Sequence, residues 1–391
     1  MNTKQILKQL IFAFPAIYLF TGFYLTKSSP KVLVGITIMF LLFSLATLNL
    51  KQIITQISER KFVWALWCTS LFVIFSKYTH GYGNSEIRVF VCIAIYASLI
   101  PNDTLNLLKK HLNSLIILAC IISFAYAFHY TYISGLGRSW PINPNPYSTF
   151  SASVTILSLY YLISNNKFRI INLIAFSLGL SSVLISQTRG SLLSLIIATI
   201  ILLLIVKMRN KLKIISTIIA LILSIGVLNY STLVSRFEQS RQEMVNISSG
   251  NLNTSIGYRF QIWQAGYELA KSPTLIGIGK NYLKANEELY KQGNISKYAI
   301  YWDHYHNQYI NSLIKNGVIG LLIFLYFMII PIFWHIKYNQ NTLSILGLLI
   351  STIYMVSSLT EIPFNQSISL GFYLIFIFII SSEIKAPKNT H

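Results

Sequence analysis

The sequence predicts an all-α polytopic membrane protein of about twelve transmembrane helices with one long, partly helical outer loop. Three observations carry that expectation. Of the 391 residues, 54% are hydrophobic and only 11% charged, where soluble domains carry about 25% charged residues. Apolar runs of span length recur along almost the whole chain, since a bilayer core of about 30 Å takes roughly 20 apolar residues per helix. The basic residues, 31 against 11 acidic, gather in the gaps between those runs. Basic residues in such gaps set topology and do not argue for a nucleic-acid partner.

Taken in order, the expected spans cover 7–25, 31–49, 62–78, 87–100, 112–132, 147–164, 168–186, 190–206, 213–230, 310–334, 342–360 and 367–382. The first follows Lys4 and Lys8 but precedes no small-residue cleavage site, so it reads as a retained anchor. The fourth is short. The seventh and eighth are parted only by the turn Gln187-Thr188-Arg189-Gly190. With the N-terminus inside, 16 Lys and Arg residues fall in inner segments and 6 in short outer loops, which favours cytoplasmic termini over the inverse arrangement. Three regions result: 1–230 with spans one to nine, 231–309 as an outer loop domain carrying catalytic residues, and 310–391 with spans ten to twelve. Cys68, Cys92 and Cys120 lie inside apolar runs, too far apart for a metal-ligand spacing, and read as packing residues.

Within the long loop, Tyr258 to Lys271 has a roughly helical apolar spacing stopped by Ser272-Pro273, and a second polar helix is expected over Asn281 to Gln292. Asp303 is the expected N-cap of span ten, which would put His306 in the first helical turn.

Four side chains stand out. Arg189, between two apolar runs with almost no loop, must lie at or near the outer membrane surface, where a charge is costly unless it has a task; the alternative is a snorkelling anchor. Arg259 opens an amphipathic loop helix, where an arginine beside free helix-terminal amides suits an anion, although a solvated face would look the same. Arg138 precedes the proline-defined loop Ser139 to Pro146, either a rigid support for a side chain or a connector. His306 is the candidate base, because the positive end of a helix dipole favours a neutral imidazole able to accept a proton. His304, two positions earlier, would point elsewhere on a helix.

Acids are scarce outside: Glu86, Glu238, Glu243, Glu268, Glu287, Glu288, Asp303 and Glu361, with no Asp-x-Asp pair. Hard cations want several oxygen ligands, so no metal and no other cofactor is expected. The sequence also lacks Gly-x-x-x-x-Gly-Lys, Gly-x-Ser-x-Gly and His-Glu-x-x-His, which disfavours ATP hydrolysis, serine hydrolysis and zinc proteolysis. Span interiors poor in ionisable residues lack the midplane carboxylates of an ion-coupled transporter.

Gln187-Thr188-Arg189-Gly190, Gly257-Tyr258-Arg259 through Lys271-Ser272-Pro273, and His306-Asn307 followed by Asn316-Gly317-Val318-Ile319-Gly320 together resemble the O-antigen ligase family of Gram-negative bacteria. The O-antigen polymerases and protein O-oligosaccharyltransferases share this pattern. The likeness covers roughly Arg138 to Glu361. It implies a glycosyltransferase of lipopolysaccharide biosynthesis in the inner membrane with a periplasmic active site. Such an enzyme moves glycan from undecaprenyl diphosphate to lipid A-core oligosaccharide. By position, Arg189 and Arg259 resemble its diphosphate-binding arginines and His306 its catalytic base. Arg138 is a third candidate, and Gln308 stands where some members carry an acid. The rivals are a polymerase, whose acceptor is a second lipid-linked glycan, an oligosaccharyltransferase acting on protein, and a flippase of lipid-linked sugar.

Overall fold

The structure is a computed structural model that describes residues 3–81, 83–164, 168–206, 230–338 and 341–381, with isolated positions between 216 and 227. The expected ninth span, 213–230, lies mostly outside the described residues. Among the described residues the chain is helical throughout, without a strand. The helices are α1 (Thr3–Thr21), α2 (Ser29–Thr47), α3 (Leu50–Glu59), α4 (Lys61–His80), α5 (Asn84–Leu99), α6 (Asn102–Lys110), α7 (Leu112–Phe128), α8 (Pro144–Ser164), α9 (Arg169–Ser186), α10 (Arg189–Ile205), α11 (Tyr230–Ser248), α12 (Ser255–Ala270), α13 (Tyr282–Lys291), α14 (Gln308–Lys337), α15 (Thr342–Ser357) and α16 (Ser367–Ser381).

Helices therefore stand over eleven of the twelve expected spans. Among the described residues five qualify as crossings by length and hydropathy, six if the bent pair α5–α6 counts as one. α10, α15 and α16 are apolar but shorter. Large apolar side chains such as Met39, Leu42, Leu45 and Leu204 are turned outward. An exposed apolar belt of that kind is suited to lipid.

The centre of the bundle is more polar than its rim. α8 packs against α7, α9, α10 and α15 and is buried along nearly its whole length. It carries Ser148, Ser151, Ser153, Thr155 and Ser158, all fully buried. Small residues let backbones approach closely, and their hydroxyls bond across or along helices. Ser123 Oγ on α7 thus lies 2.7 Å from Ser151 Oγ and 2.8 Å from Ser182 Oγ on α9. Where α5 turns through 108° into α6, the buried Arg60 guanidinium donates to the carbonyls of Ala97 (2.7 Å) and Ile100 (2.8 Å) and to Asn102 Oδ1 (2.6 Å). A cation there satisfies carbonyls that the bend leaves open.

The outer loop carries a small core of its own, in which Ile262 and Ala265 of α12 meet Tyr282, Ile295, Ala299, Tyr305 and Ile314. α12 begins three residues earlier than its apolar pattern suggests, because Thr254 Oγ1 accepts from Gly257 N at 3.0 Å. α13 falls within the expected 281–292. α11 was not expected; its apolar side chains, among them Val234, Phe237, Met244 and Val245, are exposed.

The loop is fastened to α14 at a break in that helix. Gly317 takes φ 71° and ψ −168°, a region open essentially to glycine alone. Ile278 N donates to Ile314 O (3.0 Å), Val318 N to Thr274 O (3.1 Å) and Ile319 N to Leu275 O (3.1 Å). A Cβ on Gly317 would lie 2.4 Å from Gly277 N and from Leu275 O. Gly317→Ala therefore adds a backbone clash to a strain of about 1–3 kcal/mol. It should lower the melting temperature of detergent-solubilised protein clearly more than Gly135→Ala, whose added methyl meets nothing within 4 Å; equal effects would show that the break is not rigid.

Candidate functional site

Arg189 is the first residue of α10. The chain reaches it through Gln187, left-handed at φ 55°, and Thr188, the N-cap. This two-residue turn holds the side chain at the helix end, as the sequence implies. Arg189 meets α11: its Nη2 lies 2.9 Å from Glu243 Oε1, its Nη1 3.4 Å from Glu243 Oε2 and 2.9 Å from Ser240 Oγ. Glu243, only 6% exposed, also accepts from Ile256 N at 3.3 Å. That amide is in the first turn of α12, where a carboxylate is favoured. Arg236, on the same α11, donates Nε and Nη2 to Gln187 Oε1 at 3.0 and 2.7 Å.

A second buried carboxylate gathers the remaining candidates. Glu361 lies between α15 and α16. Its Oε1 accepts from Arg259 Nη2 at 2.9 Å and from Asn145 Nδ2 at 2.8 Å. Its Oε2 faces His306 Nδ1 at 3.5 Å, a long contact. Asn145 in turn accepts from Arg138 Nη2 at 2.7 Å, and Arg138 Nε donates to Ser186 O at 3.1 Å. Gln308 clamps the segment that follows Glu361: its Oε1 accepts from Phe364 N (2.9 Å) and its Nε2 donates to Asn365 Oδ1 (2.8 Å).

Burial pushes the Glu361 carboxyl up, but the contact and charge of His306, with the charge of Arg259, outweigh it and hold the group below its ordinary value. Burial pulls the Arg138 guanidinium below its ordinary value. Arg236, Arg259 and Arg189 add to that through like charge, and Glu361 opposes it. Arg138 thus lies within reach of the charges of the other three guanidinium groups.

The expected N-cap is corrected. Asn307, not Asp303, caps α14, its Oδ1 accepting from Ile310 N at 3.1 Å. His306 therefore precedes the helix, with φ 46°, an uncommon conformation for a residue with a side chain. Because 303–306 is not helical, helical angular spacing does not separate its side chains. The rings of His304 and His306 come to 4.1 Å between centroids, and Trp302 meets His306 edge-on at 5.0 Å. Asp303 bonds His304 Nδ1 instead of capping, and that bond pulls the Asp303 carboxyl down to about 2.

All four residues singled out in the sequence thus come together, Arg138, Arg259 and His306 around Glu361 and Arg189 around Glu243. Glu361, Glu243, Arg236 and Asn145 had no assigned role. The scarcity of outer acids is the signal that could have found two of them. Four arginines against two glutamates leave the cluster with two positive charges in excess, the complement of a dianion.

Residues 174–325 match the model of the O-antigen ligase family. That segment includes Arg189, Arg236, Glu243, Arg259 and His306, and excludes Arg138, Asn145 and Glu361. The chain is 27% identical over 250 residues to a protein of Haemophilus influenzae (strain ATCC 51907 / DSM 11121 / KW20 / Rd) described as uncharacterized, over 60% of this chain and 61% of that protein. The chain thus spans less than two thirds of the length of that relative.

The depressed Glu361 carboxyl makes stability depend on pH. A group titrating lower in the folded than in the unfolded state contributes its full stabilisation above its ordinary value of 4.5, and loses it as pH falls through the lower folded value. Glu361→Gln should therefore lower the melting temperature most at neutral pH, and its gap from the native protein should close as the pH is taken below 4. A gap that stays constant across that range would remove the ionised carboxylate from the network.

Proposed function

We propose that this chain is an O-antigen ligase: a glycosyltransferase of twelve spans that moves O-antigen polysaccharide from undecaprenyl diphosphate to a sugar hydroxyl of lipid A-core. On this reading both termini are cytoplasmic and the site faces the periplasm. The observation that carries the proposal is the gathering of four arginines and one histidine around two buried glutamates. The match of residues 174–325 to the O-antigen ligase family supports ligase- or polymerase-type glycan transfer.

The chemistry follows from the charges. The leaving group is a diphosphate, and Arg189 and Arg259, with Arg138 beside them, would hold and neutralise it by planar two-point contacts. Glu243 and Glu361 keep these guanidinium groups oriented before the donor arrives, so little reorganisation is needed on binding. With His306 Nδ1 turned to Glu361, Nε2 is the nitrogen left for the acceptor. It takes the proton of the sugar hydroxyl as that oxygen attacks the anomeric carbon. The bond from that carbon to the diphosphate oxygen breaks on the opposite face, and configuration inverts. The proton ends on His306 and the negative charge on undecaprenyl diphosphate, against the arginines.

The deciding experiment is the lipopolysaccharide of a deletion strain. Loss of all capped bands while lipid-linked chains stay long supports the ligase. Core carrying a single repeat unit would mean a polymerase instead, and protein glycans lost with lipopolysaccharide intact an oligosaccharyltransferase. In a purified assay, His306→Ala should slow transfer by about 10²–10⁴-fold while donor still binds; near-normal transfer would exclude His306 as the base. Arg189→Lys and Arg259→Lys should each reduce transfer by roughly tenfold or more although charge is kept, since lysine lacks the planar fork. Lysine performing as well as arginine at both positions would make these residues anchors and not a diphosphate clamp.

A further inference from the structure

Beside the histidine pair lies a cavity of about 380 Å³ that the mechanism above does not use. It is bounded by the loop before α5, the turn before α13, the break in α14 and the 3-10 turn Pro363–Asn365 that follows Glu361, through Glu86, Lys280, His304, Asn316 and Gln366 among others. None of the four arginines lines it.

Its chemistry differs from that of the arginine cluster. Two ammonium groups, Lys280 and Lys315, face two carboxylates, Glu86 and Asp303, so the lining has no charge excess that would select an anion. Lys315 is already committed, donating to Asp303 O at 2.5 Å. Asn311 is likewise tied to Asn365, at 2.9 Å. The side chains of Lys280, Asn316 and Gln366, by contrast, have no hydrogen-bond or ion-pair partner among the described residues. They come from three separate elements and border one space. Asn316 owes its position to the glycine break that follows it, because the helix is interrupted at Gly317. Both donors and acceptors are therefore on offer, in a volume near the lower end of small-ligand pockets. A neutral polyol, which presents hydroxyls that both donate and accept, satisfies such a lining; a diphosphate does not.

The cavity opens beside His304, whose ring is 4.1 Å from that of His306. A sugar whose hydroxyl reaches His306 would extend its next ring toward this space. Accepting the transferase reading above, on which this inference rests, we propose that the cavity is a subsite for a neutral pyranose unit of the acceptor glycan, one unit removed from the sugar that attacks.

Two probes on the full-length detergent-solubilised chain test this without turnover: lactose, a neutral disaccharide, observed by saturation-transfer NMR, and inorganic pyrophosphate, observed by calorimetry. Lactose should bind the native protein, and its signal should fall at least fivefold in Gln366→Trp, which fills the cavity, and in Lys280→Ala, an exposed turn residue. Pyrophosphate should bind all three proteins equally, which also shows that the variants are folded. With rough lipopolysaccharide as acceptor, Lys280→Ala should raise the acceptor KM several-fold and leave kcat and the donor KM unchanged. A lactose signal absent from the native protein, or undiminished in both variants, overturns the subsite, as does a rise in donor KM alone. Failure of pyrophosphate to bind the native protein while lactose behaves as expected would instead count against the diphosphate clamp.

Discussion

A carboxylate taken out of water is tolerated only when other groups replace its solvent, and Glu361 shows how much structure that requirement organises. Removing such a charge from water costs several kcal/mol even in relaxed proteins. The compensation comes from Arg259 in the outer loop, Asn145 at the start of α8 and His306 before α14. These three partners lie far apart in sequence and meet only because one buried oxygen pair needs them. Glu243 imposes the same requirement on Arg189 and on the first turn of α12. The two glutamates therefore define where the loop helices sit against the bundle, and the positions of the cationic groups follow from that.

Polar groups inside the bundle obey the same rule in a milder form. The hydroxyls of α8 find partners on α7 and α9, and the carbonyls at the α5 bend find Arg60. Where water is scarce every open donor or acceptor is expensive, so these contacts specify which faces meet. The apolar side chains between them fill space but are less selective, since lipid would serve them nearly as well.

Local features of this architecture were legible in the sequence. Apolar runs bounded by charge located the helices, and the tight turn at Gln187 to Gly190 placed Arg189 at a helix end. The Tyr258 to Lys271 pattern found α12 to within a few residues. Features decided by long-range pairing were not legible. Glu361 and Asn145 are 216 residues apart, and no periodicity connects them. α11 meets the bundle through polar contacts to Arg189 and Gln187 that no local pattern announces, so Arg236 and Glu243 went unassigned. The cap of α14 was misjudged because Asp303 and Asn307 are both good capping residues; His304, by engaging Asp303, decides between them.

The meeting of Gly277 and Gly317 also has a mechanical consequence. Three backbone hydrogen bonds join the loop to the broken helix across a gap too narrow for any side chain, and neither partner can slide without losing all of them together. Segment 274–278 and the first turns of α14 are thus a single lever. The histidine pair stands at one end of that lever, just ahead of Asn307. A displacement of the outer loop is therefore delivered to the imidazoles as a rotation of the helix start.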